Sequence, residues 1–170
     1  MLEDPRIGLA SADGIMYLHP QSIASFPSSE DPDPAEEIGE IAGLPGSEAE
    51  PIAALLDGIP VENHVLLRNR LIIDDPDDFA SQTPVNARMH GTSMASLILH
   101  GDLQSAEAPL PRSLFVRPVM IYNANAQMET TPPDRMPLDI IYRAVRRMLE
   151  GDALAPATAP TVAVINLSLG

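Results

Sequence analysis

The stretch His90-Gly91-Thr92-Ser93-Met94-Ala95 places an imidazole directly before small residues that predict the first turn of a helix. Upstream, residues 51–58 form a short apolar run that ends in Asp57-Gly58, which is typical of a buried strand followed by a turn. Downstream, residues 161–170 form a second apolar run that ends in Ser168-Leu169-Gly170. The sequence therefore predicts a strand, a helix and a later strand, with polar residues where each strand ends.

Two further elements are predicted between the helix and the last strand. Residues 114–121 indicate a strand, and Pro118 within it favours an edge position or a bulge because proline lacks an amide donor. A helix begins at Pro137 and is stopped by Gly151. Its apolar residues recur at helical spacing and should face a sheet: Leu138, Ile141, Val145, Met148 and Leu149.

The order strand, helix, strand predicts a βαβ unit with parallel strand pairing. We therefore expect an α/β fold of three layers, with a mainly parallel sheet and helices on both faces. Ligands of such sheets bind beyond the carboxyl ends of the strands, where Asp57 and Ser168 are both predicted to lie.

The blocks at Asp57, His90 and Ser168, in this order, resemble the subtilisin-like serine proteases, or subtilases. In that family an aspartate ends one strand, a histidine in His-Gly-Thr opens a helix, and a later strand ending in Ser-Leu-Gly lines the substrate cleft. The resemblance covers residues 51–170 and implies a partial subtilisin-like catalytic domain. It implies that Asp57 and His90 belong to a Ser-His-Asp triad, and that Ser168, Leu169 and Gly170 bind a peptide or protein substrate.

The resemblance also predicts what should follow. A subtilase continues past Ser-Leu-Gly to an oxyanion-hole asparagine and a Gly-Thr-Ser block with the nucleophile, so we expect this chain to be an N-terminal part of a serine endopeptidase that is inactive alone. Residues 91–96 spell the same nucleophile motif, which would make Ser93 the attacking serine. The order of the blocks favours the histidine interpretation and makes Ser93 an ordinary helix residue.

A second class of function stays open from the sequence. The parent could be a catalytically inactive relative that binds peptides or assembles with partners, with residues 168–170 offering backbone for an extended peptide to pair with. An incomplete sheet would also expose strand edges, which favours self-association.

Metal and cofactor sites are weakly indicated. Four aspartates around Pro76 could hold calcium, which subtilases often bind, but their spacing matches no defined loop and favours a solvated acidic turn: Asp74, Asp75, Asp77 and Asp78. His64 and His100 could join His90 and Asp57 on a metal, yet no pair has helical spacing. We expect structural roles for His19, His64 and His100 and no metal or cofactor.

Charge and composition exclude several other classes. The formal net charge of −14 argues against nucleic-acid binding, and the absence of cysteine excludes disulfides and thiolate metal sites. No segment has the length of a membrane span and no signal peptide is evident, so we expect a cytoplasmic protein. Residues 1–50 are predicted to be an N-terminal extension with an acidic, proline-rich linker, and an inhibitory pro-region is the alternative.

Overall fold

The computed structural model describes residues 49–103, 108–153 and 155–169. Expectations for residues 1–48, which include His19, the extension and the pro-region, lie outside these ranges, as does Gly170. The strands are β1 (Ala53–Asp57), β2 (Leu71–Ile73), β3 (Leu114–Pro118), β4 (Ile121–Asn123), β5 (Met128–Thr130) and β6 (Val164–Leu167). The helices are α1 (Phe79–Gln82), α2 (Met89–His100) and α3 (Pro137–Leu149), and a short 3₁₀ turn covers Val85–Ala87.

Four strands form a parallel sheet in the order β2-β3-β1-β6, and β4 and β5 form a separate antiparallel hairpin. The α/β class and the mainly parallel sheet are therefore confirmed. The strands β3 and β6 run parallel as predicted, but they do not pair with each other because β1 lies between them.

Alternate residues of β1 and β3 point to opposite faces of the sheet, as the pleat of a strand requires. On one face, Leu55 and Val116 pack with the α2 residues Ala95 and Leu99. The other face packs against α3 through a second buried cluster: Ala54, Leu56, Phe115, Ile140, Ala144 and Met148. Helices thus cover both faces, which confirms the three-layer prediction.

The helix α3 has its predicted bounds, but its buried stripe is shifted from the prediction. Met148 is fully buried, whereas Leu138 is 65% exposed and Leu149 is 38% exposed, so the prediction that these two leucines face the core is wrong. The buried stripe follows Ile140, Ala144 and Met148, and the predicted residues Ile141 and Val145 pack beside it, whereas Leu138 and Leu149 lie on another side of the helix. The helix ends as predicted, because Gly151 adopts a φ of 86° that glycine tolerates and donates its N–H to Arg146 and Arg147 carbonyls.

Pro118 was predicted to mark an edge position or a bulge, and the edge position is wrong. The strand β3 is central, between β2 and β1, and Pro118 is its last residue. The next residue restores the pairing, since the Val119 N–H donates to the Asp57 carbonyl at 2.8 Å. A proline at the strand end therefore costs the sheet no central hydrogen bond.

Candidate active site

Asp57 and His90 are neighbours in the folded chain. Asp57 is the last residue of β1 and is fully buried, and His90 is the second residue of α2 with a side chain 11% exposed. His90 Nδ1 lies 2.5 Å from Asp57 Oδ1, which also accepts the Gly58 N–H at 2.5 Å. With the proton on Nδ1 directed at the carboxylate, Nε2 carries the lone pair that a general base needs.

The glycine after each of these two residues makes room for the contact. A Cβ on Gly91 would lie 2.2 Å from the Gly58 carbonyl oxygen, so α2 can approach the turn after β1 only with glycine at this position. Thr92 also holds α2 close to the turn after β1, since its Oγ1 accepts the Val61 N–H at 2.9 Å and donates to the Arg88 carbonyl. Each residue of the His-Gly-Thr sequence thus helps to hold the helix beside Asp57.

A third ionisable group, Glu129 of β5, lies against this pair. The Val119 and Met120 N–H groups bond to the Asp57 carbonyl, and the chain then folds back through the β4–β5 hairpin. Glu129 is buried there, and its Oε2 accepts the His90 N–H at 3.0 Å. Its Oε1 has no hydrogen-bond partner among the described residues and would be 1.8 Å from a Cβ on Gly58.

Sequence reasoning did not single out Glu129. It is one of 24 acidic residues, and the residues around it form no recognisable motif. The available signal was indirect: glycine directly follows both Asp57 and His90, and glycine often marks a close approach of other groups to the backbone.

The local environment perturbs the pKa of all three groups. The hydrogen bond from His90 to Asp57 raises the pKa of the imidazole, and the Asp57 and Glu129 charges act in the same direction. Burial raises the pKa of Asp57, while hydrogen bonds from His90 and Gly58 oppose that change. Burial also raises the pKa of Glu129 to about 7, against the lowering effect of the His90 backbone N–H. Such a cluster is typical of functional sites, although structural ion pairs also produce it.

Two of the predicted substrate-binding residues, Ser168 and Leu169, follow β6 at the same end of the sheet as Asp57. Leu167, the last residue of β6, is paired with Leu56, so Ser168 follows at the level of Asp57. Ser168 Oγ donates to Asn166 Oδ1 at 2.6 Å, and Leu169 packs against the core cluster on the α3 side. Gly170 lies outside the described residues, and the substrate-binding role of all three stays a prediction.

Ser93 is an exposed residue of α2, one turn after His90. This placement agrees with an ordinary helix position. Its exclusion as the nucleophile rests on the order of the sequence blocks.

His64 and His100 do not join Asp57. His100 is buried, and its Nε2 lies 2.7 Å from the Leu66 carbonyl oxygen, while His64 Nδ1 accepts the Leu66 N–H at 3.4 Å. Both contacts are local to the segment before β2 and agree with the predicted structural roles. No group of three or more potential metal ligands occurs within the described ranges.

The interpretation of residues 74–78 as a solvated acidic turn is wrong for Asp74, Asp75 and Asp77, whereas Asp78 is exposed. Asp77 is 11% exposed and bonds to arginines of three different segments: Arg117 at 2.5 Å, Arg135 at 2.7 Å and Arg143 at 3.3 Å. Burial opposes the ionisation of Asp77, but hydrogen bonds from Arg135 and Arg117 lower its pKa overall. Asp74 pairs with Arg147 of α3 at 3.0 Å, and Asp75 accepts the N–H groups of Phe79 and Ala80. These carboxylates link β3, α1 and α3.

No protein-family model, curated protein or solved structure matches this chain. Within the described parts of the chain, every helix is too short or too polar to cross a bilayer.

Proposed function

We propose that this chain supplies the aspartate and histidine of a subtilisin-like serine endopeptidase. The observation that carries the proposal is the hydrogen bond between His90 Nδ1 and the buried Asp57 carboxylate, formed between two residues far apart in the sequence. The parallel sheet supports it, because both strand ends that flank the site lie at the same edge, where ligands of open α/β sheets bind.

In the proposed reaction, His90 acts as the general base. Its Nε2 removes the proton from a serine hydroxyl as the serine oxygen attacks the carbonyl carbon of the substrate peptide bond. The imidazolium then gives this proton to the departing amine, which leaves an acyl-enzyme ester. Water attacks the ester by the same route in reverse, and the serine is regenerated. The serine comes from a segment outside residues 1–170 in this proposal.

Asp57 acts through His90. Its carboxylate holds the proton on Nδ1, so that Nε2 faces the nucleophile, and its negative charge stabilises the imidazolium that forms during attack. Burial strengthens this interaction, because the effective dielectric constant around a fully buried carboxylate is lower than in water. The second carboxylate oxygen, Oδ2, has no hydrogen-bond partner among the described residues, so the negative charge is directed mainly at His90 and the Gly58 N–H.

Labelling with a fluorophosphonate tests the proposal in the natural gene product that contains this chain. We expect one labelled serine, located by mass spectrometry outside residues 1–170, with labelling abolished by His90→Ala and strongly reduced by Asp57→Asn. The Ser93→Ala variant is the matched control and should label like the wild type. Labelling at Ser93, or no labelled serine in a folded protein, would contradict the proposal.

A peptide-binding module without catalytic activity is the second candidate, and the edge strand β6 favours it. Among the described strands, β6 pairs only with β1, and its exposed residues include Val164 and Leu167. An extended peptide, or a second copy of the chain, could add a strand to this edge. Binding of peptides by a protein that no fluorophosphonate labels would favour this candidate over the peptidase.

A further inference from the structure

We propose that Glu129 is a positioning residue of the Asp57–His90 site, where its carboxylate caps the start of α2 and adds a second negative charge beside the imidazole. The geometry alone carries this assignment, whereas its consequence for catalysis rests on the proposed function. Glu129 reaches the site from an antiparallel hairpin outside the parallel sheet, so it is independent of the two strand ends that define the candidate active site.

The capping contact joins Glu129 to the backbone of the histidine itself. Glu129 Oε2 accepts the His90 N–H at 3.0 Å, and the nearby Gly91 N–H also acts to lower the pKa of this carboxyl group. The first N–H groups of a helix have no partner within the helix, and a negative charge at this end is stabilised by the helix dipole. Arg88, the residue before α2, provides no side-chain cap. The contact from Glu129 therefore takes the place of that cap and fixes the turn that carries the imidazole.

The site is shaped to receive this carboxylate. The contact at 1.8 Å that a Cβ on Gly58 would make with Glu129 Oε1 shows that Glu129 fills the space left by glycine after Asp57. Glu129 is buried, and Oε1 has no hydrogen-bond partner in the described part of the chain. A buried carboxyl group with only one hydrogen-bonded oxygen costs free energy, because removal from water penalises its charged form. Such a group is therefore expected where its position serves a function.

The charge of Glu129 acts directly on the pair. Glu129 interacts with two ionisable groups, Asp57 of β1 and His90 of α2. His90 in turn interacts with the charges of Asp57 and Glu129. An ionised Glu129 favours the imidazolium and so raises the pKa of His90. Since the pKa of Glu129 itself is about 7, its charge changes near neutral pH, and the titration of His90 depends on that change.

Two substitutions separate the hydrogen bond from the charge. Glu129→Gln removes the charge but keeps an oxygen that can accept the His90 N–H, whereas Glu129→Leu removes both. The control is Glu150→Gln, which removes a carboxylate that is 74% exposed at the end of α3. Histidine ring titration and amide hydrogen exchange are measured by NMR on the labelled 170-residue chain, and dispersed amide spectra establish that each variant is folded.

We expect a lower His90 pKa in both Glu129 variants and no change in the control. Amide exchange at His90 and Gly91 should accelerate roughly fivefold in Glu129→Leu, as for the loss of a helix-capping side chain, and stay near wild type in Glu129→Gln. An unchanged His90 pKa in folded Glu129→Gln would overturn the proposal, and this variant suffices if Glu129→Leu does not fold.

The same variants distinguish this proposal from the proposed function. If the natural protein hydrolyses peptides, Glu129→Gln should move the acidic limb of its kcat/KM profile to lower pH, because a lower His90 pKa keeps the imidazole neutral down to a lower pH. If it does not hydrolyse peptides, the proposed function fails while the NMR titration still tests Glu129. An unmoved acidic limb in an active Glu129→Gln enzyme would contradict a role for Glu129 in setting the charge of His90.

Discussion

Replacing Gly91 with alanine tests whether the close approach of α2 to the β1 turn holds the site together. The new Cβ would lie 2.2 Å from the carbonyl oxygen and 2.8 Å from the carbonyl carbon of Gly58, and 3.2 Å from the carbonyl carbon of Ile59. All three are backbone atoms, so no side-chain rotation relieves the overlap. Overpacking of this kind costs about 1–3 kcal/mol, and the higher helix propensity of alanine offsets up to about 1 kcal/mol of it.

We therefore expect Gly91→Ala to lower the free energy of unfolding by about 1–2 kcal/mol, measured by urea denaturation. The matched control is Ser93→Ala, at an exposed position of the same helix. It should leave the free energy of unfolding unchanged or raise it by at most about 0.5 kcal/mol. Displacement of α2 should also weaken the contact with Asp57 and lower the pKa of His90. If Gly91→Ala were as stable as Ser93→Ala and kept the wild-type His90 pKa, the close approach of α2 to the β1 turn would not be what holds the site together.

Three further predictions test other parts of the structure by urea denaturation. Between pH 4.5 and 7 the folded wild type keeps a proton on Glu129 that the unfolded chain has released, so its free energy of unfolding should fall as pH rises. Relative to Glu129→Gln, this fall should reach about 3 kcal/mol. The same dependence of unfolding free energy on pH in both proteins would contradict this. Asp77→Ala should cost about 3 kcal/mol by leaving the buried Arg117 without its carboxylate partner, and a cost below about 1 kcal/mol would show that the pair is not structural. Met148→Ala should cost about 2–5 kcal/mol, whereas the exposed Leu138→Ala should change stability by less than about 0.5 kcal/mol; equal costs would contradict the observed burial.

Local signals in the sequence predicted the elements that carry the candidate site. An apolar run ending in a carboxylate defined β1, and proline and glycine at the two ends defined α3. The start of α2 at Met89 agrees with the helix predicted from the small residues after His90. The contact between Asp57 and His90 followed from the order of blocks that resembles the subtilases, since no local pattern specifies a contact between distant residues.

The hairpin and Glu129 could not be predicted in this way. Strands of three residues show no measurable periodicity, and the position of β4 and β5 depends on tertiary contacts. One such contact is the hydrogen bond from the Tyr122 N–H to Thr83 Oγ1 at 3.2 Å. The hairpin is therefore fixed by α1 and by the Asp57 carbonyl, neither of which is near Glu129 in the sequence.

The arginine partners of Asp77 were missed for a related reason. Arg117, Arg135 and Arg143 come from three segments that the fold alone brings to one carboxylate. A run of aspartates on its own is equally typical of a solvated loop, so the composition of residues 74–78 favoured the wrong interpretation. Leu138 and Leu149 were misassigned because apolar residues occur on more than one side of α3, and spacing alone does not show which side the sheet covers.

The most direct test of the Asp57–His90 pair is the titration of His90 in the wild type and in Asp57→Asn, followed by NMR, with dispersed amide spectra establishing that both proteins are folded. We predict that His90 titrates above the ordinary histidine pKa in the wild type, because Asp57 accepts its Nδ1 proton, and that Asp57→Asn lowers this pKa. An ordinary His90 pKa that is the same in both folded proteins would contradict the Asp57–His90 pair on which the proposed function depends.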